Sequence, residues 1–227
     1  MGGHGKLLAV LTTAFLLLRP LSAATGREIE IGSERIVSIE ASRCELTVEG
    51  WDKWDRIGIE GADFRERREG NRIVLRLTPT RAEVDVKVPR DVKVGIDLEQ
   101  GRVVVRAVEG GVEASIGQGE LILDGTAGRY RVEIGRGMIA GKIFLDGESE
   151  FKVESGDVFL SILDDVSMPL RIETEDGDIT LELPGGYKAR ADLFSGRNEV
   201  RCDLDLNEGP ILKAWALKGR VTIKRAI

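Results

Sequence analysis

VESGDVFLSI, residues 153–162, is followed by a near copy, TEDGDITLEL, at 174–183. Both place a glycine and an aspartate at a central bend and an aliphatic side chain at every second position after it. Aligned on that bend, five more segments share the pattern: GIDLEQGRVVV, VEASIGQGELIL and YRVEIGRGMIAGKIFL before the pair, ARADLFSGRNEVRC and KAWALKGRVTIK after it. The aligned glycines are Gly101, Gly119, Gly137, Gly156, Gly177, Gly196 and Gly219, spaced 18, 18, 19, 21, 19 and 23 residues apart. A near-constant period over seven units marks a repeat architecture.

Within each unit the apolar residues alternate on both sides of the glycine: Val112, Ala114 and Ile116 before it, Leu121 and Leu123 after it; or Leu170 and Ile172 before, Ile179, Leu181 and Leu183 after. Period 2 predicts strands with one buried and one wet face. One such unit has too little apolar area to stand alone, whereas stacked units about 4.8 Å apart share a narrow core and satisfy each other's backbone. The fold expected is all-β: a single right-handed β-solenoid, or β-helix, of short coils of 18–21 residues, its bend glycines piled in a column. Antiparallel meanders closing into a barrel or sandwich give the same alternation, as does a lipid-carrying β-jellyroll. Composition agrees with β structure: 42% hydrophobic, only 5% aromatic and 28 glycines imply an aliphatic core with many tight bends.

Residues 1–24 read as a secretory signal peptide. Lys6 precedes the apolar run LLAVLTTAFLLL (7–18), too short to cross a bilayer, and Ser22 and Ala24 place cleavage after Ala24. Residues 25–35 form a lead-in and 36–227 one β-repeat domain, with 36–91 as irregular first coils and 92–227 as regular repeats. The turn-rich FRERREGN (64–71) interrupts the first part, and Pro79 and Pro89 stop strands there.

Cleavage removes two of 33 basic residues and no acid, so the mature charge is 31 − 39 = −8. An acidic chain with its basic residues scattered excludes nucleic acid as a partner. The single histidine, His4, also leaves with the signal, which excludes imidazole-dependent nucleophilic sites and the commoner zinc sites. No catalytic, cofactor or metal residues are assigned. The acids at Asp164 and Asp165, at Glu175, Asp176 and Asp178, and at Asp203 and Asp205 are read as turn residues.

Cys44 is in phase with Leu46 and Val48, and Cys202 with Val200 and Leu204, so both are expected as buried free thiols many coils apart. Trp51 and Trp54, in GWDKWD, form the sharpest aromatic cluster. They either cover one end of the core or present indoles to a partner; Trp215 is expected to serve at the other end. Outward positions such as Glu113, Arg131, Lys152, Arg171 and Glu173 interleave both signs, which lets adjacent strands pair opposite charges.

The export signal, CELTVEGWD (Cys44–Asp52) and the repeated SGDV and DGDI units resemble an uncharacterised bacterial "putative adhesin" family of exported β-strand-repeat proteins, over most of the chain from Ile36. The resemblance implies an exported solenoid with a surface or envelope interaction role, and it brings no catalytic residues. The function expected is therefore a noncatalytic β-repeat protein of the bacterial envelope. It would be periplasmic, cell-surface or secreted, would bind a protein or glycan partner, and would need no cofactor and no transmembrane segment after cleavage. Self-association through the solenoid ends is a further expectation. The competing readings are the envelope lipid carrier and a polysaccharide-active β-helix enzyme, which would need two carboxylates at a fixed separation.

Overall fold

The computed structural model describes residues 26–78 and 83–226; the signal peptide read in residues 1–24 and the strand stop at Pro79 lie outside the described residues. The described residues form strands and no helix. The strands are β1 (Arg27–Glu30), β2 (Ile36–Trp51), β3 (Arg56–Glu60), β4 (Phe64–Glu69), β5 (Arg72–Leu77), β6 (Glu83–Pro89), β7 (Lys93–Arg106), β8 (Val112–Gly128) and β9 (Tyr130–Leu145). They continue as β10 (Ser149–Ser155), β11 (Val158–Ile162), β12 (Leu170–Asp176), β13 (Ile179–Leu183), β14 (Arg190–Ser195), β15 (Val200–Cys202), β16 (Ile211–Ala216) and β17 (Val221–Arg225).

β2, β7, β8 and β9 run unbroken through a central bend; in the later units the bend splits the strand in two. Parallel pairing carries the segments before the bend through β5, β2, β7, β8, β9, β10, β12, β16 and β14. The segments after it run through β6, β2, β7, β8, β9, β11, β13, β17 and β15. β4 adds antiparallel to β5, β3 adds antiparallel to β6, and β1 adds antiparallel to β3. The architecture is all-β: one open, mixed sheet creased along its line of bends.

Alternation places the core as read. Val112, Ala114, Ile116, Leu121, Leu123, Val158, Leu160, Ile172, Ile179 and Leu181 are all buried, in one hydrophobic cluster that runs the length of the molecule. Each fully buried aliphatic or phenylalanine side chain contributes about 1.5–3 kcal/mol. Tyr130 and Phe151 stack with ring centroids 5.6 Å apart, and the Tyr130 hydroxyl donates to Thr126 Oγ1 at 3.1 Å. Burial raises the Tyr130 phenol well above its ordinary value.

The bend glycines do pile up, in a modified order. A Cβ on Gly101 would overlap the carbonyl oxygen of Cys44. The same holds for Gly119 on Gly101, Gly137 on Gly119, Gly156 on Gly137, Gly177 on Gly156 and Gly219 on Gly177. Only glycine permits this backbone approach at positive φ, as at Gly137 (φ 145°). Gly196 stands outside the column and meets the Leu217 carbonyl instead, while Ser195 Oγ donates to the Gly219 carbonyl at 2.6 Å.

The last two units have thus exchanged places: the seventh, β16 and β17, lies between the fifth and the sixth. The first units are also rearranged. β2 is a full-length strand inside the sheet, in register with β7, and the chain then turns outward to build β3–β6 beyond it. FRERREGN, read as an insertion, is edge strand β4 and its turn into β5. β6 ends at Pro89 as expected.

Two cysteine and tryptophan expectations are corrected by this order. Cys44 is buried, but Cys202 is exposed: it has the inward phase, opposite buried Ile223, yet it lies on the outermost strand, where nothing stacks over it. Trp215 caps no end; it lies half-buried on an outward position of β16, between β12 and β14.

The interleaved outward charges meet across the parallel ladders. Arg102 pairs with Glu120 at 3.6 Å, Arg171 with Glu150 at 3.6 Å and Lys224 with Glu182 at 2.8 Å, each directly opposite its partner. Such exposed pairs add little each.

Candidate binding surfaces

Three surfaces combine exposed apolar groups with polar ones. The first holds the predicted pair Trp51 and Trp54. Trp51 ends β2 and is half-buried; its Nε1 donates to the Arg56 carbonyl at 2.9 Å, and Gly58 lies against its ring because a Cβ there would come within 3.1 Å of the indole. Lys53 Nζ sits 4.6 Å from the Trp51 ring centroid and bonds Glu28 Oε1 at 2.6 Å. Lys53 and Arg56, which bonds Glu28 Oε2 at 3.0 Å, hold the Glu28 carboxyl below its ordinary value. Trp51 is therefore a fixed wall. It lines a cleft of about 160 Å³ with Arg27, Glu28, Glu60, Asp85 and Lys87 around it. That is smaller than the roughly 300 Å³ at which ligand pockets begin, so the cleft suits one small group and not an extended ligand. Trp54 behaves differently: on the turn between β2 and β3 its side chain is 78% exposed. The two tryptophans share a loop but divide the roles the sequence left open, Trp51 packing and Trp54 facing solvent.

The second surface escaped the sequence reading. Phe194 on β14 lies directly opposite Trp215 on β16, with centroids 5.8 Å apart, and Lys213 Nζ stands 3.6 Å from the Trp215 centroid. Lys213 also bonds Glu173 at 2.6 Å and Arg171 bonds the same carboxylate at 2.9 Å. Burial works against the charged Glu173, but these two cations hold its pKa below the ordinary value. Trp215 Nε1 is buried without a hydrogen-bond partner. The signal that could have found this patch is the shared outward phase of Phe194, two residues before Gly196, and Trp215, four before Gly219; it becomes readable only once β14 and β16 are known to be neighbours.

The third is a shallow groove of about 760 Å³ on the outer face of the post-bend strands. Val104, Ile122, Ala140 and Phe159 fall opposite one another in successive strands, a stripe flanked by Arg102, Arg106, Lys142 and Lys224. The alternation shows these residues as outward, but alternation alone does not reveal that four outward apolar residues align.

Of the acids read as turn residues, Asp178 bonds to a neighbouring unit, Glu175 and Asp176 end strand β12, and Asp164 has a buried Oδ1 without a partner. Asp178 Oδ1 accepts from the Arg220 backbone N–H at 2.9 Å, and its other oxygen takes the Arg220 guanidinium at 2.6 Å, which lowers its pKa. Asp157 Oδ1 accepts from the Asp178 N–H at 2.8 Å. Among the described residues no group of three or more histidine, cysteine or acidic side chains is placed to hold a metal ion. No helix among them is long and apolar enough to cross a membrane.

No protein-family model and no curated protein matches the chain. Solved structures do. A "putative cell adhesion protein" from Clostridium sporogenes is 12% identical, with 89% of this chain and 100% of that one covered and a TM-score of 0.39. A "putative adhesin" from Bacteroides fragilis is 13% identical, with coverage of 91% and 99% and a TM-score of 0.40. A "putative lipid binding protein" from Parabacteroides distasonis is 11% identical, with coverage of 89% and 96% and a TM-score of 0.29. At these identities and scores the likeness says nothing of what this chain binds.

Proposed function

We propose that the protein is an exported, noncatalytic scaffold of the bacterial envelope that presents a rigid β-repeat surface to a protein or glycan partner. On this reading the creased sheet works as a short right-handed β-solenoid. In-register parallel pairing and the glycine column support that description, and the right hand follows from the strong preference of parallel β connections. The observation that carries the binding role is Trp54, 78% exposed on the turn that follows Trp51, whose immobilised ring walls a small cleft. A large indole exposed to water, on the same turn as a fixed ring with carboxylates and cations around it, suits partners with one apolar face and several hydroxyl or amide groups.

The test is binding of the labelled protein to an array of envelope glycans and to crosslinked envelope proteins in intact cells, wild type against Trp54→Ala. Loss of signal at unchanged melting temperature is expected. Wild-type binding by Trp54→Ala refutes the aromatic surface, and release of cleaved sugar from the same glycans refutes the noncatalytic role.

A further inference from the structure

The outer edge of β15 differs from the other edges of the sheet. Val200 is in register with Val221 and Cys202 with Ile223, both fully buried. Val200 and Cys202 therefore have the core-facing phase, yet both are exposed, Val200 at 44%. Among the described residues β15 pairs with β17 alone. The neighbouring edge, β14, is partly covered: the chain folds back so that the Ala191 N–H donates to the Leu206 carbonyl at 3.2 Å, with Leu206 buried. At the opposite end of the sheet the edges are defended by charge. β4 reads FRERRE with five of six residues exposed, and β1 reads REIE.

The backbone of β15 is directional too. The Glu199 carbonyl accepts from Val221 N–H at 3.1 Å, and Asp203 N–H donates to the Ile223 carbonyl at 3.0 Å. In a parallel ladder alternate residues turn both polar groups to the same side, so the N–H and C=O of Val200 and Cys202 face away from β17. A strand added there antiparallel, about a two-fold axis at Cys202, sets Arg201 opposite Asp203 of the second copy and brings Val200 toward Leu204, half-buried at a bend just past the end of β15. Arg201 and Asp203, which already pair at 3.3 Å within one chain, then each face the opposite charge of the second copy as well, and the register is self-complementary, as a two-fold interface requires. A head-to-tail contact would instead place this apolar edge on the charged strands β4 and β1.

We infer that β15 is a homodimer edge, two copies pairing antiparallel about Cys202, with Arg201 facing Asp203 and Cys202 facing Cys202. Cys202 serves as the reporter: residues exchanging hydrogen bonds across an antiparallel pair have Cα atoms about 5.5 Å apart, close enough for a short crosslink. Sedimentation equilibrium of the purified protein, run beside treatment with a short bis-maleimide, tests it. The expected result is a concentration-dependent rise from one chain to two, and a crosslinked dimer joined at Cys202 and not at Cys44. Val200→Lys and Arg201→Asp each return the protein to monomer and abolish the crosslink; the exchanged double variant R201D with D203R restores both. A monomer at all concentrations, a ladder of higher oligomers, or a crosslink indifferent to Arg201→Asp overturns the inference.

Discussion

Replacing Gly137 by alanine probes the bend column directly. Its φ of 145° is unfavourable for a side chain, and a Cβ would overlap the Gly119 carbonyl oxygen in the strand beside it. Backbone strain of this kind costs about 1–3 kcal/mol. Relief requires the strands to separate at the bend, which weakens ladder hydrogen bonds worth about 1 kcal/mol each on either side. Two such bonds bring the total to about 3–5 kcal/mol. Gly125 is the control: it too has positive φ, at 59°, but its Cβ would meet nothing within 4 Å. Gly125→Ala should therefore cost only the left-handed penalty, about 1–2 kcal/mol. Urea unfolding followed by far-UV circular dichroism measures both midpoints. If Gly137→Ala and Gly125→Ala lose stability equally, the close stacking of the bends is not what demands glycine, and the column argument fails.

Other outcomes follow from single side chains. Cys202 should react with a maleimide in native buffer, whereas Cys44, 2% exposed and with its thiol pKa raised by burial, should label only after unfolding; mass spectrometry of the peptides distinguishes them. Arg220 lowers the folded pKa of Asp178, so this pair adds stability above the ordinary aspartate range near pH 4 and loses it as pH falls through the lowered value. Arg220→Leu should thus destabilise at pH 7 and narrow its gap to wild type in melts toward pH 2. Asp164 has the opposite sign: burial raises its pKa and Oδ1 has no partner, so the charged form opposes folding as pH rises. Asp164→Asn should melt higher than wild type at pH 7, with the gain shrinking in acid. Trp51→Phe, which removes the indole bond to the Arg56 carbonyl, should cost about 1 kcal/mol in urea unfolding while Trp54→Ala leaves the midpoint in place.

The division between sequence and tertiary structure is visible at particular residues. Period 2 and the glycine spacing suffice to name the strands, their buried faces and the residues that must stack, because side-chain direction in an extended chain is a local property. Val158, Leu160, Ile179 and Leu181 are buried as the pattern requires, and the ladders match opposite charges as the interleaving requires. Neighbourhood is not local. Repeats of one period and one register can pair in more than one order, and nothing in KAWALKGRVTIK says that it inserts between the fifth and sixth units. That single choice exposes Cys202 in spite of its inward phase, brings Phe194 against Trp215, and leaves β15 as the open edge. Which side chain faces inward was written in the chain; which strand covers it depended on long-range pairing, and so did the surfaces left for binding.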